Sequence, residues 1–343
     1  MTLSFSEFLS LRESLPIVDV RSQGEFADGH IRGASNVPLL TNEERVEVGT
    51  TYKQQGRLQA IKTGFRLVGP RLLEIIDQAE RVSGGKEILV HCWRGGMRSA
   101  NFCQFVGMAG IKAHSLEGGY KTYRHHALES YKQPLQIILL TGCTGSGKSE
   151  LLRILRERGE QILDLEMLAN HKGSVFGGLN MPPQPTTEQF QNELFEEILK
   201  LDVNKPIWVE DESIAIGKIF LPQFFWLRMT ESPLVQIHLH KHERVERLVN
   251  EYGSSDREEF LKLMEKVTKK LGGQNFKEAK EKLEVGDMYS TIDILLTYYD
   301  KAYLNSIEKR KDKLKSELTW DGVDPSSMIE SLIQIRQSNL LHV

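Results

Sequence analysis

This chain of 343 residues has few cysteines, no long apolar run and no excess of positive charge. The three cysteines, Cys92, Cys103 and Cys143, are an odd number without metal-site spacing, so we expect a reducing compartment and no disulfide framework. The longest apolar stretches, such as Ile137–Leu140, are far too short to span a bilayer, and the first residues do not resemble a signal peptide. We therefore expect a cytoplasmic protein with no membrane segment.

The net charge of −3 excludes a uniformly basic surface, so a polyanion would have to bind at a local patch. Most such patches are simply solvated faces, and each is therefore only a candidate. The first patch contains no acidic residue between its members and comprises Lys53, Arg57, Lys62, Arg66 and Arg71. A rival patch in the C-terminal half comprises Lys309, Arg310, Lys311, Lys313 and Lys315.

Short apolar strands alternate with helical segments in both halves of the chain, which predicts α/β domains with parallel sheets. Glu87–His91, for example, is predicted to be a buried strand that leads into a glycine-containing loop. The pattern restarts near Gln133, so we place a first domain at 1–128 and a second at 134–343. From Arg257 onward the sequence is predicted to be mainly helical.

The loop after that strand begins with Cys92, and a helix is expected to follow it. Its two glycines allow successive N–H groups to turn inward as an anion nest. Arg94, Arg98 and the helix N-terminus add positive charge, which favours a nucleophilic thiolate at Cys92. Cys103 is predicted to lie within a helix and Cys143 at a free position of the glycine-rich segment 142–149, and we expect both to be structural. The predicted anion-binding loop comprises Trp93, Arg94, Gly95, Gly96, Met97 and Arg98.

The segment Gly142–Ser149 fits the phosphate-loop pattern G-x-x-x-x-G-K-[ST], between a predicted strand and a predicted helix. The pattern indicates a di- or triphosphate ligand without choosing between them, and Mg²⁺ is an expected companion of such a ligand. Trp208–Ser213 ends another strand with three acids, of which Asp211 is our candidate for the metal-side carboxylate. The predicted phosphate-binding residues are Gly142, Gly145, Ser146, Gly147, Lys148 and Ser149.

Two segments of the first half, Ile17–Pro38 and Leu116–Tyr120, resemble the opening and closing signatures of rhodanese domains. One departure is the five residues Trp93–Met97 between cysteine and arginine, where common sulfurtransferases have four. That spacing resembles dual-specificity phosphatases of rhodanese-like fold, and the longer loop suits a tetrahedral, phosphate-like anion. A phosphatase is therefore an alternative, for which the general acid would have to come from Glu43, Glu44 or Asp28.

The two halves in this order resemble the bacterial tRNA 2-selenouridine synthase family over nearly the whole chain. The resemblance implies a rhodanese-like parallel-sheet domain, then a P-loop NTPase-like α/β domain with a helical C-terminal region. The segments that carry it are Asn42–Arg45, Val48–Lys53, Cys92–Ser99, Leu116–Lys121, Gly142–Ser149, Asn170–Gly177 and Val209–Ser213.

The family's chemistry would act on the wobble 2-thiouridine of tRNA in two steps. The resemblance implies that geranyl diphosphate first alkylates the sulfur, and that selenophosphate then replaces the geranylated sulfur by selenium. We infer that the catalytic Cys92 and its loop take selenophosphate and that the phosphate loop takes geranyl diphosphate. The first basic patch is our candidate tRNA-binding surface, and an enzyme that supplies selenophosphate is an expected partner.

Three other functions fit the same motifs. A phosphatase fused to a nucleotide-binding module would hydrolyse a generic aryl phosphate. A regulator that binds tRNA or a nucleotide would turn over nothing, and a kinase would form a product from ATP.

Overall fold

The computed structural model describes residues 1–338 and divides the chain into two compact units. The first unit comprises Met1–Ser130 together with Gln191–Glu196, and the second comprises Tyr131–Phe190 and the chain from Glu197 onward. The last five residues of the predicted second domain lie outside the described residues. Within 1–338, no helix has both the length and the apolar character that crossing a membrane requires.

The first unit is built on a sheet of five short parallel strands. Its strands are β1 (Thr2–Leu3), β2 (Ile17–Asp19), β3 (Ala34–Asn36), β4 (Ile88–His91) and β5 (Ala113–Leu116). Its helices are α1 (Phe5–Leu11), α2 (Gln23–Asp28), α3 (Asn42–Gln55), α4 (Arg57–Val68), α5 (Leu72–Ser83), α6 (Met97–Met108) and α7 (Gly119–Ser130), with a 3₁₀ turn at Gly69–Arg71. The sheet order is β1-β5-β4-β2-β3, and β2 and β4 are buried along their whole length, as inner strands of a covered parallel sheet are.

The sheet has a topological switch point between β2 and β4, where the strand order reverses. After β2 the chain continues to β3 on one side, whereas after β4 it continues to β5 on the other. Ligands of open α/β sheets bind outside the carboxyl ends of strands at such a switch point. Asp19 and His91 are paired residues at the carboxyl ends of β2 and β4, and Cys92 follows directly. The fold therefore places the Cys92 loop where this class of sheet binds ligands.

The second unit contains another five-stranded parallel sheet. Its strands are β6 (Ile137–Thr141), β7 (Gln161–Leu163), β8 (Ile207–Glu210), β11 (Leu234–His238) and β12 (Leu314–Thr319), and β9 (Ala215–Ile216) and β10 (Ile219–Phe220) form a small antiparallel ribbon. Its helices are α8 (Lys148–Glu157), α9 (Leu165–Ala169), α11 (Gln223–Glu231), α12 (Lys241–Tyr252), α13 (Arg257–Lys266), α14 (Thr268–Leu271), α15 (Gly273–Glu284), α16 (Met288–Glu308) and α17 (Ser326–Gln337). A 3₁₀ turn lies at Lys311–Lys313, and α10 (Thr187–Ile198) contributes its middle residues to the first unit and its ends to the second.

The sheet order in the second unit, β12-β11-β6-β8-β7, puts the strand before the phosphate loop beside the strand with the acidic end. Leu140 of β6 pairs with Glu210 of β8 in parallel register. Because the carboxyl ends of parallel strands meet at one edge, the loop and the acids must lie together. The local sequence of each strand contains no sign of this pairing.

The C-terminal region is largely helical, as predicted, and α12 to α16 share one apolar core. The exception is β12, which lies inside the predicted helical region and pairs in parallel with β11 at the edge of the sheet. Its residues are half-buried or exposed and include Lys315 and Glu317, so the strand lacks a continuous apolar run. An edge strand of this composition gives little signal from periodicity. The predicted fold class is otherwise confirmed.

Candidate functional site

The Cys92 loop joins β4 to α6 and is closed over a buried thiol. Cys92 is only 2% exposed, and its Sγ lies 3.3 Å from Oγ of Ser99, which in turn donates to the carbonyl oxygen of Gly96 at 3.1 Å. Gly96 is the residue before α6 and offers no side-chain cap, so the first N–H groups of that helix are available to an anion. The loop therefore combines a thiol with helix-terminal donors, as the sequence predicts.

Two glycines allow a second segment of the chain to approach this loop closely. Gly95 and Gly119 have φ of +61° and +62°, a left-handed conformation that favours glycine. A Cβ on Gly119 would lie 2.3 Å from the carbonyl oxygen of Cys92, and one on Gly95 would lie 2.7 Å from that of Leu116. The N–H of Tyr120 donates to the carbonyl oxygen of Cys92 at 2.8 Å. The closing rhodanese signature thus fixes the backbone of the loop.

The two arginines of the loop have different surroundings. Arg98 donates from both terminal nitrogens to the carboxylate of Glu25, at 2.6 and 3.2 Å. Burial raises the pKa of Glu25, but the bonds and charge of Arg98 outweigh it, so the net pKa is lowered and the carboxylate stays ionised. Arg94 is exposed, and it forms no ion pair among residues 1–338. Arg94 is therefore the loop cation with its charge free for a ligand.

Below the loop, the strand ends carry a buried charged group. Arg21 pairs with Asp19 at 2.6 Å, and its guanidinium carbon lies 3.7 Å from the ring centre of Tyr120. His91, fully buried, lies 3.7 Å from the Asp19 carboxylate. Burial lowers the pKa of His91 to about 4, so the imidazole is neutral at pH 7. These contacts support the Cys92 loop from within the sheet.

The phosphate loop, Gly142–Ser149, lies between β6 and α8 as predicted and is held from several sides. Lys148 is buried, donates to the carbonyl oxygen of Gly142 at 3.1 Å and lies 3.5 Å from Glu210. The indole N–H of Trp320 donates to the carbonyl oxygen of Ser146 at 3.1 Å, and Arg244 donates to that of Thr144 at the same distance. These contacts hold the backbone of the loop in place.

Three buried carboxylates surround the end of this loop. Glu166, Glu210 and Glu212 each offer an oxygen within 4.8 Å of the others, and Oγ of Ser149 donates to Glu166 at 3.0 Å and to Glu210 at 3.1 Å. Burial first, and then mutual repulsion, raises the pKa of Glu166 to about 10 and that of Glu212 to about 8. Lys148 is the one cation in contact with the cluster among the described residues. Three carboxylates and one lysine leave an excess of negative charge, and their oxygens together with that of Ser149 are the ligands that a hard divalent cation such as Mg²⁺ prefers.

The prediction that Asp211 is the metal-side carboxylate is wrong, because its side chain is paired with an arginine elsewhere. Both carboxylate oxygens of Asp211 accept from Arg310, at 2.9 and 2.7 Å. Side chains alternate along an extended segment, so Glu210 and Glu212 share one side and Asp211 takes the other. Glu210 is therefore the acid at the phosphate loop. The alternation of side chains could have identified Glu210 from the sequence. Glu166 follows a different strand, β7, and no sequence pattern indicates that it joins this site.

The first basic patch is divided by ion pairs. Arg66 pairs with Glu47, and Arg71 pairs with Glu44 at 2.6 Å, since the acids of α3 face the basic residues of α4 and the turn after it. The other three members, Lys53, Arg57 and Lys62, are exposed and have no ion pair among residues 1–338. Only these three remain good candidates for phosphate contacts.

The rival patch is also partly neutralised. Arg310 is held by Asp211, Lys311 lies 3.7 Å from Glu308, and Lys313 lies 3.7 Å from Asp312. The remaining two members, Lys309 and Lys315, form no ion pair within the part of the chain that the structure describes. Charge alone therefore favours the first patch by a small margin.

Comparisons with known proteins match both halves of the chain. The family model described as tRNA 2-selenouridine synthase AAA domain matches residues 135–326, and the model described as Rhodanese-like domain matches residues 4–126. A solved N-terminal domain of a putative ATP/GTP binding protein from Clostridium difficile 630 is 40% identical, covers 36% of this chain and 97% of its own, and has a TM-score of 0.35.

Two relatives match nearly end to end. The tRNA 2-selenouridine synthase of Nitrosomonas europaea is 32% identical, and the alignment covers 86% of this chain and 90% of the relative. That of Bdellovibrio bacteriovorus is 33% identical, with 87% and 90% covered. On these matches, the chain belongs to the tRNA 2-selenouridine synthase family.

Proposed function

We propose that this protein replaces sulfur by selenium at carbon 2 of the wobble 2-thiouridine of tRNA. The observation that carries the proposal is the Cys92 loop, where a thiol, free helix-terminal N–H groups and an unpaired Arg94 meet at the switch point of the sheet. Membership of the family supplies the reaction class, and the phosphate loop supplies a second anion site in the same chain.

In the first step, the sulfur of 2-thiouridine attacks carbon 1 of geranyl diphosphate. A carbon–sulfur bond forms, the carbon–oxygen bond to diphosphate breaks, and the proton on N3 of the base is lost. Diphosphate leaves, and the base becomes S-geranyl-2-thiouridine. Alkylation converts the sulfur into a better leaving group, which is what the second step requires.

The phosphate loop is our proposed site for the diphosphate. Its N–H groups and Lys148 would bind the phosphate oxygens. Ser149, Glu166 and Glu210 would hold Mg²⁺, which would neutralise diphosphate charge as it develops. A neighbouring cavity of about 420 Å³ is lined by Trp226, Met229 and Tyr303 among others, and Tyr303 also lines the cavity at the phosphate loop. This apolar wall supports a prenyl diphosphate as the ligand.

In the second step, selenium of selenophosphate attacks carbon 2 of the geranylated base. The carbon–selenium bond forms, the carbon–sulfur bond breaks, and geranyl thiol leaves with the proton of the selenol. Water then cleaves the selenium–phosphorus bond, which gives 2-selenouridine, with its N3 proton restored, and inorganic phosphate. The wide nest of the Cys92 loop and Arg94 suits the tetrahedral phosphate-like end of this donor.

The proposed tRNA-binding surface is the exposed part of the first basic patch, Lys53, Arg57 and Lys62. These side chains lie on the α3–α4 hairpin, and two of them line the same cavity as Arg94 and Arg98 of the Cys92 loop. Phosphate contacts from such a surface would position the anticodon arm without reading its sequence.

The experiment that tests the proposal is nucleoside analysis of tRNA after incubation with enzyme and each donor. We expect S-geranyl-2-thiouridine with geranyl diphosphate alone and 2-selenouridine when selenophosphate is added. Hydrolysis of an aryl phosphate without any change in the tRNA would favour the phosphatase. A phosphorylated product formed from ATP would favour the kinase, and binding without any turnover would favour the regulator.

A further inference from the structure

The first unit contains an apolar groove beside the Cys92 loop that the proposed chemistry has not yet used. The cavity measures about 770 Å³ and lies among α3, α4 and α6. This is within the range, roughly 300–1,000 Å³, of sites that hold small organic ligands. We call it the hairpin groove and define it by the apolar residues Val48, Tyr52, Ile61, Phe65, Met97 and Phe105.

The groove presents apolar side chains to solvent. Tyr52 is 58% exposed, Phe65 is 56% exposed and Met97 is 46% exposed. Contiguous exposed apolar surface of this kind in a folded unit marks a binding site more often than a solvated face. Helix α3 has no buried residue, and two of its apolar side chains, Val48 and Tyr52, line the groove.

The groove is continuous with the reactive loop. Met97 and Arg98, which line it, are the first two residues of α6, the helix that follows the Cys92 loop. Cys92 also lies in one apolar cluster with Leu39, Leu40 and Val68, which line the groove, and Val48 and Phe105 pack against the same cluster. The groove and the thiol therefore share one packed cluster of apolar side chains.

Charge on the groove wall defines the kind of ligand. Arg45, Lys53, Arg57, Arg94 and Arg98 line it together with the apolar residues. Lys53, Arg57 and Arg94 have no ion pair among residues 1–338, so these three cations face an apolar cavity without local compensation. The complementary ligand has an apolar chain attached to a polyanion.

We propose that the hairpin groove receives the geranyl chain of the S-geranylated wobble nucleoside during the selenium step. The inference rests on the proposed function and adds the place where its intermediate binds. Selenium must attack the carbon that carries the geranyl sulfur, so the selenophosphate site and the chain must be adjacent. The anion nest and the groove share Arg94, Met97 and Arg98, which satisfies that requirement within a single unit. The tRNA backbone is the polyanion for Lys53, Arg57 and Arg94.

The test compares two anticodon stem-loop RNAs that differ only in an S-geranyl group on the wobble 2-thiouridine. Equilibrium affinity is measured for the full-length protein and for Phe65→Glu and Ile61→Glu, which put a carboxylate into the groove. Leu58→Glu is the matched control, because it adds the same charge to the same helix. Leu58 is 64% exposed and does not line the groove. We expect the parent protein and Leu58→Glu to prefer the geranylated RNA, and both groove variants to lose at least about tenfold of that preference, or about 1.4 kcal/mol.

The readout is a ratio of two affinities, so a general effect of charge on RNA binding cancels. Circular dichroism and retained binding of the 2-thiouridine RNA report whether each variant is folded. If the groove variants keep the full preference for the geranylated RNA, the groove is not its site. If they instead raise only the KM for geranyl diphosphate, the groove holds that donor and the inference is likewise overturned.

A failure of the proposed function would look different. The parent protein would then show no preference for the geranylated RNA and would form no 2-selenouridine from it with selenophosphate. A chain-length series adds a second check, in which S-methyl, S-dimethylallyl and S-geranyl stem-loops are compared. Affinity for the parent protein should rise along the series, and a flat series in the presence of normal selenium transfer would contradict only the groove.

Discussion

Cys92 and Cys103 are both cysteines of the first unit, but their surroundings give them different chemistry. Cys92 directly follows the strand β4 and begins a loop with free helix-terminal donors. Cys103 lies within α6, where burial raises the pKa of its thiol to about 11, so that it stays protonated at pH 7. Only Cys92 is suited to accept a chalcogen or to stabilise one in transit.

We predict that Cys92→Ser abolishes selenium incorporation and leaves geranylation of the same tRNA largely intact, because the thiol lies at the proposed selenophosphate site, which geranylation does not use. Cys103→Ser is the control and should keep both steps. Both products are measured by mass spectrometry of the digested tRNA. Equal loss of both steps in a folded Cys92→Ser protein would show that the two roles are not separate.

At the phosphate loop, one residue position decides which acid acts on the ligand. Glu210 accepts from Ser149, whereas Asp211 is occupied by Arg310. We predict that Glu210→Gln raises the Mg²⁺ concentration needed for half-maximal binding of geranyl diphosphate roughly tenfold, since a charge-assisted contact is worth about 1.5–3 kcal/mol. Asp211→Asn, the matched control, should change it little. The measurement is a Mg²⁺ titration of ligand binding, and a larger effect from Asp211→Asn would restore the assignment made from sequence.

At the scale of elements, the α3–α4 hairpin carries both the proposed RNA contacts and one wall of the hairpin groove. The sequence shows an uninterrupted basic run, but folding brings Glu44 and Glu47 of α3 against Arg71 and Arg66. This could not be predicted, because the pairs join residues that are 27 and 19 positions apart. The same folding forms the groove, which likewise has no local pattern in the sequence.

We predict that tRNA affinity falls with salt and that reversing Lys53, Arg57 and Lys62 to Glu makes the dependence shallower. Each phosphate contact adds about 0.7–0.9 to the slope of log affinity against log salt, so losing three should lower it by roughly two units. The measurement is equilibrium binding of tRNA over a range of salt concentrations. Reversing Lys309, Lys311 and Lys315 is the charge-matched control, and a shallower slope only there would move the tRNA site to the second unit.

Elements with contiguous signals were predicted well from the sequence. The Cys92 loop and the phosphate loop each lie between a buried strand and a helix, as expected, because a strand, a glycine turn and a helix start are local features. The edge strand β12 was missed because its half-exposed residues carry no apolar run. Glu166 was missed because its place in the site depends on the order of strands in the sheet.

At the scale of the whole molecule, the chain holds two candidate anion-binding loops, one in each of two compact units. Each loop follows an inner strand of its own parallel sheet. The family assignment rests on matches that cover 86% and 87% of the chain. Two units with different proposed ligands would suit a reaction in which the sulfur is first alkylated and then displaced.

The most direct test of this account follows the sulfur atom. The enzyme is incubated with tRNA whose wobble 2-thiouridine carries a heavy sulfur isotope, together with geranyl diphosphate and selenophosphate. We predict that each 2-selenouridine formed is matched by one molecule of geranyl thiol that contains the heavy sulfur, as measured by mass spectrometry of both fractions. Heavy sulfur that leaves as inorganic sulfide, or selenium incorporation that proceeds without geranyl diphosphate, would contradict the account.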